Sequence, residues 1–276
     1  MTSTAGRSLS SILERSYQGR RVLVTGHNGF VGSRLSFVLA NAGAEVTGLS
    51  LPAESGGLAT ALRLSETVDS IEGDITVLST VQQVVAECAP EFVFHLAAQA
   101  LVLPSYIDPV LTFATNVMGT VNVLDSIRRQ PSVRSCVVVT SDKCYATADG
   151  THVETDCLGG DDPYSASKAA AEIVAHAYRT SYFDHGQLAL ATTRAGNIIG
   201  GGDWAEHRII PDYTRAIRDD FPVVLRRPDA IDPGNTFSTR RRAICGLVTP
   251  LRATRRCTRR HGTSDRAMSS RSANDR

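Results

Sequence analysis

Lysine is almost missing from this sequence. Only Lys143 and Lys168 are lysine, so 27 of the 29 basic residues are arginine. A guanidinium serves most surface needs but does not give up its proton, which singles out the two lysines as groups whose ammonium chemistry is used. The six cysteines (Cys88, Cys136, Cys144, Cys157, Cys245 and Cys257) show neither C-x-x-C spacing nor a dense framework. That excludes a disulfide scaffold and a thiolate zinc site, and it fits free thiols in a reducing compartment, the cytoplasm. Among the seven histidines no H-x-x-x-H pair occurs, so no metal is expected. No apolar run reaches the length of a membrane span, and residues 1–20 lack the apolar region of a signal peptide. No membrane partner is expected.

Net charge is also nearly absent, at +1, but this hides an asymmetry. Residues 226–276 hold 13 arginines and four aspartates, a net +9, against a net −8 over residues 1–225. The two stretches read as different kinds of polypeptide.

What is present is organised around residues 22–32. Val22 to Val24 is an apolar run that reads as a buried strand. Glycines at 26, 29 and 32 then turn the chain into an amphipathic helix over Phe30–Leu39. Strand, glycine turn and helix in this order make a dinucleotide cradle, in which the backbone approaches a pyrophosphate and a helix N-terminus faces the anion. The candidate cofactor residues here are Gly26, Asn28, Gly29, Phe30, Val31 and Gly32. A second strand is expected over Ala44–Leu49, ending at Ser50 where an acid would have favoured NAD over NADP. A third, Val68–Glu72, leads to Asp74 and Ile75. Asp74 could accept from an adenine amino group or cap a helix over Thr76–Cys88, and both readings stay open. Glu91–Gln99 reads as a buried strand whose small end, Leu96, Ala97, Ala98 and Gln99, would pass under the cofactor. His95 within it reads as a core residue rather than a catalyst.

A helix over Pro109–Arg129 carries Asn116. A strand over Val133–Thr140 ends in Ser141, Asp142 and Lys143. A helix over Pro163–Tyr182 opens with Tyr164 and Lys168, and Leu188–Arg194 is a further strand. Alternation of strands and helices predicts an α/β fold: a Rossmann-type doubly wound parallel sheet. Tyr164 and Lys168 lie four apart on one helix face. A phenol is a poor base at neutral pH, and a neighbouring ammonium favours the phenolate.

These motifs resemble the extended short-chain dehydrogenase/reductases, and within them the CDP-glucose 4,6-dehydratases. The likeness is carried by V-T-G-H-N-G-F-V-G at 24–32, F-H-L-A-A-Q at 94–99, T-N-V-M-G-T-V-N-V-L at 115–124 and T-S-D-K-C-Y at 140–145. It continues with D-P-Y-S-A-S-K at 162–168, R-A-G-N-I-I-G-G-G-D-W at 194–204 and R-I-I-P-D at 208–212. The resemblance implies NAD as cofactor, bound also by Asn116, Tyr164 and Lys168, and a nucleotide-linked glucose, CDP-glucose, as substrate. It implies that Tyr164 takes the proton of the sugar 4-hydroxyl, Lys168 lowers the tyrosine pKa, and Ser141 bonds the developing ketone. Lys143 and Asp142 would then remove water across C5 and C6. A glutamate stands where Lys143 does in dTDP-glucose dehydratases, so the lysine tilts the reading to the CDP-sugar group. Arg194, Asn197 and Arg208 match substrate-side stretches, and 200–204 reads as a loop near the sugar nucleotide. Relatives pair helices like 109–129 and 163–182 across a dimer, so a homodimer or homotetramer is expected. The alternatives are an NAD-dependent sugar-nucleotide epimerase and an impaired NAD-binding remnant.

Three regions follow: a loose N-terminal arm over 1–19, an NAD-binding domain with part of a substrate lobe over 20–228, and an Arg-rich tail over 229–276 that leaves the lobe incomplete. Relatives continue past Pro228 with a stretch close to R-P-W-Q-H-V-L-D-P. Codons for that stretch, read one base out of phase, give the D-P-G-N-T-F-S-T found at 232–239. A shifted reading frame near codon 232 accounts for an arginine-rich, lysine-free, aperiodic tail. A nucleic-acid-binding arm is the weaker reading, with Phe237 the one aromatic and no helical stripe. Sequencing of the locus is expected to show an intact downstream frame encoding W-Q-H-V-L, and its absence would refute the frame shift.

Overall fold

The computed structural model describes residues 9–147, 150–183, 186, 188–223, 225 and 235–236. Six parallel strands form the main sheet in the order β3-β2-β1-β4-β5-β6. They are β1 (Arg21–Thr25), β2 (Glu45–Ser50), β3 (Asp69–Glu72), β4 (Phe92–His95), β5 (Ser135–Ser141) and β6 (Ala189–Ala195). The chain winds outward from β1 to β3, returns to β4 beside β1, and winds out the other way. The order therefore reverses between β1 and β4, and a crevice opens at the carboxyl ends of these two strands.

Both faces of this sheet are covered, which is why its central strands are apolar without alternation. Successive side chains point to opposite faces. Val22, Val24, Phe94 and Val137 pack on one side with α1 (Leu9–Tyr17) and α2 (Phe30–Asn41). Leu23, Val93, Cys136 and Val138 pack on the other with α4 (Leu78–Cys88), after the short α3 (Leu58–Ala61), and with the long helix that follows β4. At the opposite end from the crevice, the largely buried Glu91 carboxylate is held by Arg20 at 3.0 Å and Arg134 at 3.5 Å.

Residues 9–17, expected as part of a loose arm, instead form α1. Its Leu13 and Tyr17 are buried, and the Tyr17 ring meets Phe92 edge-on at 5.3 Å between centroids. The apolar spacing Leu9, Leu13, Tyr17 is short, which hid it among polar neighbours.

After β4 come α5 (Val102–Ile107), α6 (Pro109–Phe113), a π turn over Ala114–Met118 and α7 (Gly119–Arg128). The continuous segment Pro109–Arg128 is 20 residues and by length and composition could cross a membrane, contrary to the sequence expectation. Half of it is buried in the body, and α7 lies on α4, so it is a core helix here. The helix bearing Tyr164 is α8 (Pro163–Tyr178), shorter than expected because Arg179–Phe183 widens into a second π turn. Val110 and Met118, with Ile173 of α8, are exposed, on the helices expected to pair across a dimer.

Beyond β6 the described chain contains β7 (Ile198–Ile199), α9 (Ile209–Arg218) and β8 (Asn235–Thr236), with β7 and β8 paired in parallel. Pro211 is the one buried residue of α9, and Ile209, Ile210, Tyr213 and Ile217 are exposed. Asn235 and Thr236 fall within the stretch expected to be disordered or out of frame. Residues 237–276 lie outside the described residues, as do 1–8.

Tyr17→Ala is expected to cost about 3–5 kcal/mol in urea unfolding, the usual loss for truncating a buried aromatic. A loss below about 1 kcal/mol would mean that α1 does not belong to the core.

Candidate active site

The glycine turn sits where the sheet order reverses. Gly26 has φ +75°, and a Cβ there would stand 2.7 Å from the backbone nitrogen of Ala97. A Cβ on Gly32 would collide with the carbonyl of Gly26. The turn after β1 thus lies directly against the chain leaving β4, a contact that side chains would prevent. Gly29 is the N-cap of α2, and no side chain caps that end. A helix N-terminus left open beside a groove suits a pyrophosphate, so the residues fit a dinucleotide. Phe30 and Val31 form the first turn of α2. Arg34, one turn on, lies over the Phe30 ring and donates to the carbonyl of Gly201, drawing the 200–204 loop toward the cradle. Asn28 turns its amide to the Leu51 carbonyl at 2.9 Å and braces the loop after β2.

Three of the candidate cofactor residues have contacts inside the protein. Asp74 accepts from the Thr76 N–H at 2.8 Å, while the N-cap of α4 is Val77, so it closes a turn rather than capping the helix. Ile75 is buried, and its carbonyl and that of Thr76 accept from Asn122. Asn116, expected against the cofactor, is engaged inside the protein. Its amide donates to the Gln99 carbonyl at 3.0 Å and to Ser167 Oγ at 2.8 Å, and its oxygen accepts from Gln99 N–H at 2.8 Å. It therefore braces the Leu96–Gln99 floor. The asparagine side chain presents both a donor and an acceptor to one backbone residue, a pairing that sequence does not display.

Ser141 ends β5, and Asp142–Cys144 form a 3-10 turn capped by Ser141 Oγ, which accepts from Lys143 N–H at 3.2 Å. That turn supplies the curl by which adjacent residues escape strand alternation. Asp142 and Lys143 are both exposed, and Ser141 donates to Asp142 at 3.2 Å. Tyr164 stands in the first turn of α8, whose N-cap Asp162 accepts from Ser165 N–H at 2.9 Å. Burial holds the Tyr164 phenol above its ordinary pKa, the Ser141 hydrogen bond and the Arg208 charge pull it down, and Asp142 and Asp162 push it up. Ser141 is thus a hydrogen-bonding neighbour of the phenol, with Asp142 and Arg208 near enough to act on it through their charge. Arg208 is one cation acting on the phenol. Lys168 is buried, donates to the Val139 carbonyl at 3.3 Å, and is pushed down to about 8 by desolvation, with Glu172 opposing.

Glu172 was missed in the sequence, although its place four residues after Lys168 puts it on the same face. This buried carboxylate accepts from Thr140 Oγ at 2.5 Å, Thr192 Oγ at 2.9 Å and Arg194 at 3.0 Å. Arg194, expected on a substrate pyrophosphate, is thereby committed to the interior. It also donates to the Glu154 carbonyl and lies 4.9 Å over the Tyr145 ring. His27 was passed over as well: its ring is buried, and no side chain could occupy Gly48 beside it. Asn197 is exposed just before β7, and Arg208 pairs with Asp203 at 3.1 Å at the start of α9.

The chain is 45% identical over 226 residues to the CDP-glucose 4,6-dehydratase of Salmonella typhimurium, covering 79% of this chain and 63% of that protein. It is 36% identical over 167 residues to the UDP-glucose 4-epimerase of Mycolicibacterium smegmatis, covering 59% of this chain and 52% of that protein. Among solved structures, a dTDP-glucose 4,6-dehydratase double mutant from Streptomyces venezuelae with NAD bound superposes with a TM-score of 0.72 at 25% identity, over 83% of this chain and 72% of that one. The chain thus spans less than two thirds of the length of these two curated relatives. The family described as NAD dependent epimerase/dehydratase matches residues 22–228, three quarters of the sequence, and this chain belongs to it.

Proposed function

We propose that this chain carries the cofactor-binding and catalytic half of an NAD-dependent 4,6-dehydratase acting on CDP-glucose. The observation that carries the reading is the Ser141–Asp142–Lys143 turn beside the Tyr164 phenol. A carboxyl group hydrogen-bonded to Ser141 and an amine on the following residue would give the proton donor and acceptor that elimination of water needs, in addition to the phenol as the base that oxidation needs. The 45% identity to a protein of that name supports the substrate class. An epimerase needs no such adjacent acid and base, so the turn favours dehydration over the alternative.

NAD, when bound, would supply hydride acceptance from C4 of the sugar and hydride return to C6. Gly26, Gly29 and Gly32 would hold its pyrophosphate at the N-terminus of α2, with the Leu96–Gln99 segment beneath it. Tyr164 takes the proton of the 4-hydroxyl, and Ser141 Oγ donates to the ketone that forms. That ketone acidifies the proton on C5. Lys143 removes it while Asp142 protonates the departing 6-hydroxyl, which leaves as water. Arg208 lowers the phenol from the substrate side. The unpaired thiols of Cys88, Cys136, Cys144 and Cys157 suit a reducing cytoplasm, where we place the protein.

Full-length chain incubated with CDP-glucose and NAD is expected to yield the 4-keto-6-deoxy sugar. Tyr164→Phe should lower turnover by about 10²–10⁴-fold. Asp142→Asn should slow dehydration while reduced cofactor still builds up, because oxidation at C4 precedes elimination. If neither this chain nor a version extended to the relatives' length makes a 4-keto sugar, the reading is wrong.

Lys168 gives a second test. Its ammonium is destabilised by burial, so the folded state bears the penalty fully below about pH 8 and sheds it as pH rises toward the unfolded value of 10.5. Lys168→Met is therefore expected to raise the unfolding free energy measured in urea at pH 7 by up to about 3 kcal/mol, with the gain fading near pH 10. Its activity should fall. A variant less stable than the parent at pH 7 would show that the amine is there for the fold.

A further inference from the structure

His95 is fully enclosed at the end of β4, and the chemistry above gives it no part. Its two ring nitrogens are nevertheless both engaged. Nδ1 lies 2.7 Å from Thr25 Oγ and Nε2 lies 3.0 Å from Thr120 Oγ. The proton positions follow from the partners. Thr120 has one hydroxyl proton, and it donates to the carbonyl of Asn116 at 2.7 Å. A carbonyl can only accept, so Thr120 Oγ has nothing left to give the ring and must accept from Nε2–H. Thr25 Oγ accepts from the Ala97 N–H at 3.3 Å and has its own proton free for Nδ1. Burial and the Lys168 charge both oppose an imidazolium, holding the ring down to about 3. One arrangement satisfies every group: Ala97 N–H to Thr25, Thr25 O–H to Nδ1, Nε2–H to Thr120, and Thr120 O–H to Asn116.

This chain joins two parts of the site. Ala97 is the residue whose backbone lies against Gly26, and Asn116 sits on the π turn between α6 and α7. From Asn116 the bonding continues through its amide to Ser167 Oγ, and from Ser167 Oγ to the Tyr164 carbonyl at 2.7 Å. We propose that His95 is a positioning residue: as a neutral Nε2–H imidazole it fixes the floor of the cofactor cradle to the π turn, and through Asn116 and Ser167 to the backbone of Tyr164. Its neighbour in charge is Lys168, one helix away. A π turn places Asn116 off the regular helical path, and bonds on both sides of it explain how that irregular turn keeps one geometry. The consequence for NAD binding rests on the function proposed above. The tautomer does not.

Histidine-labelled full-length chain tests this by long-range proton–nitrogen NMR, with the His95 signals identified by their loss in His95→Gln. The expected pattern is a protonated Nε2 and a bare Nδ1, unchanged between pH 6 and 9. Thr120→Val keeps the shape but removes the acceptor. It should let the Nδ1–H tautomer appear and weaken NAD binding tenfold or more by calorimetry, whereas Thr120→Ser should keep both near the parent. An imidazolium or an Nδ1–H ring in the parent overturns the proposal. So does a Thr120→Val variant whose tautomer is unchanged or whose NAD affinity stays within twofold. A parent chain that binds no NAD overturns the cofactor reading alone, and the tautomer pattern then decides the question of His95.

Discussion

The site depends on one close approach of backbone to backbone. The turn at Gly26 and the strand exit at Ala97 come closer than any side chain permits, and the positive φ of Gly26 lets the chain make that approach without strain. Because β1 and β4 are the two strands at which the winding reverses, their carboxyl ends part on either side of this contact and leave the crevice open. A substituent at Gly26 would push the Leu96–Gln99 floor away from α2. Everything that reads as cofactor-binding shares that reference point: the open N-terminus of α2, the floor itself, and Asn116 braced against Gln99.

The second organising feature is a run of charge kept inside. Lys168 and Glu172 are buried one turn apart on α8, with Arg194 reaching Glu172 from β6. Such groups rarely repay their desolvation in stability, and replacing them with apolar residues is often neutral or better. Their value lies in geometry. Glu172 takes three donors from β5 and β6, so the helix bearing Tyr164 is pinned to the two strand ends where Ser141 and the turn to Asp142 emerge. The amine at Lys168 is held near the pH at which it can exchange its proton, something arginine could not supply at that position. The scarcity of lysine in the sequence pointed at this property, and the amine is anchored to the Val139 carbonyl.

The parallel sheet and the helices between its strands were legible because most of the strands are short apolar runs bounded by turn residues; the strand order was not read from the sequence. The glycine spacing and the Tyr164–Lys168 pair were legible because they recur at fixed intervals along one element. What was not legible was the partnership of side chains from different elements. Arg194 looks like an anion-binding residue until Glu172, 22 positions earlier, is found within 3.0 Å. Asn116 looks exposed to a ligand until Gln99 and Ser167 are seen to use its whole amide. α1 escaped because four apolar residues in nine give a weak stripe, and tertiary contact with Phe92 and Phe94 supplies the rest.

Arg208 ties the chemistry to the part of the chain beyond the sheet. It stands at the start of α9, paired with Asp203, and its charge lowers the Tyr164 phenol. Burial acts the other way, so the acidity of the base depends on a residue that the cofactor domain does not itself hold in place. α9 offers little of its own to hold it: one buried residue, four large apolar side chains exposed, and a contact from Arg215 to the carbonyl of Trp204. The Arg208 contribution to the Tyr164 phenol therefore depends on where the start of α9 is held, while burial remains the larger influence.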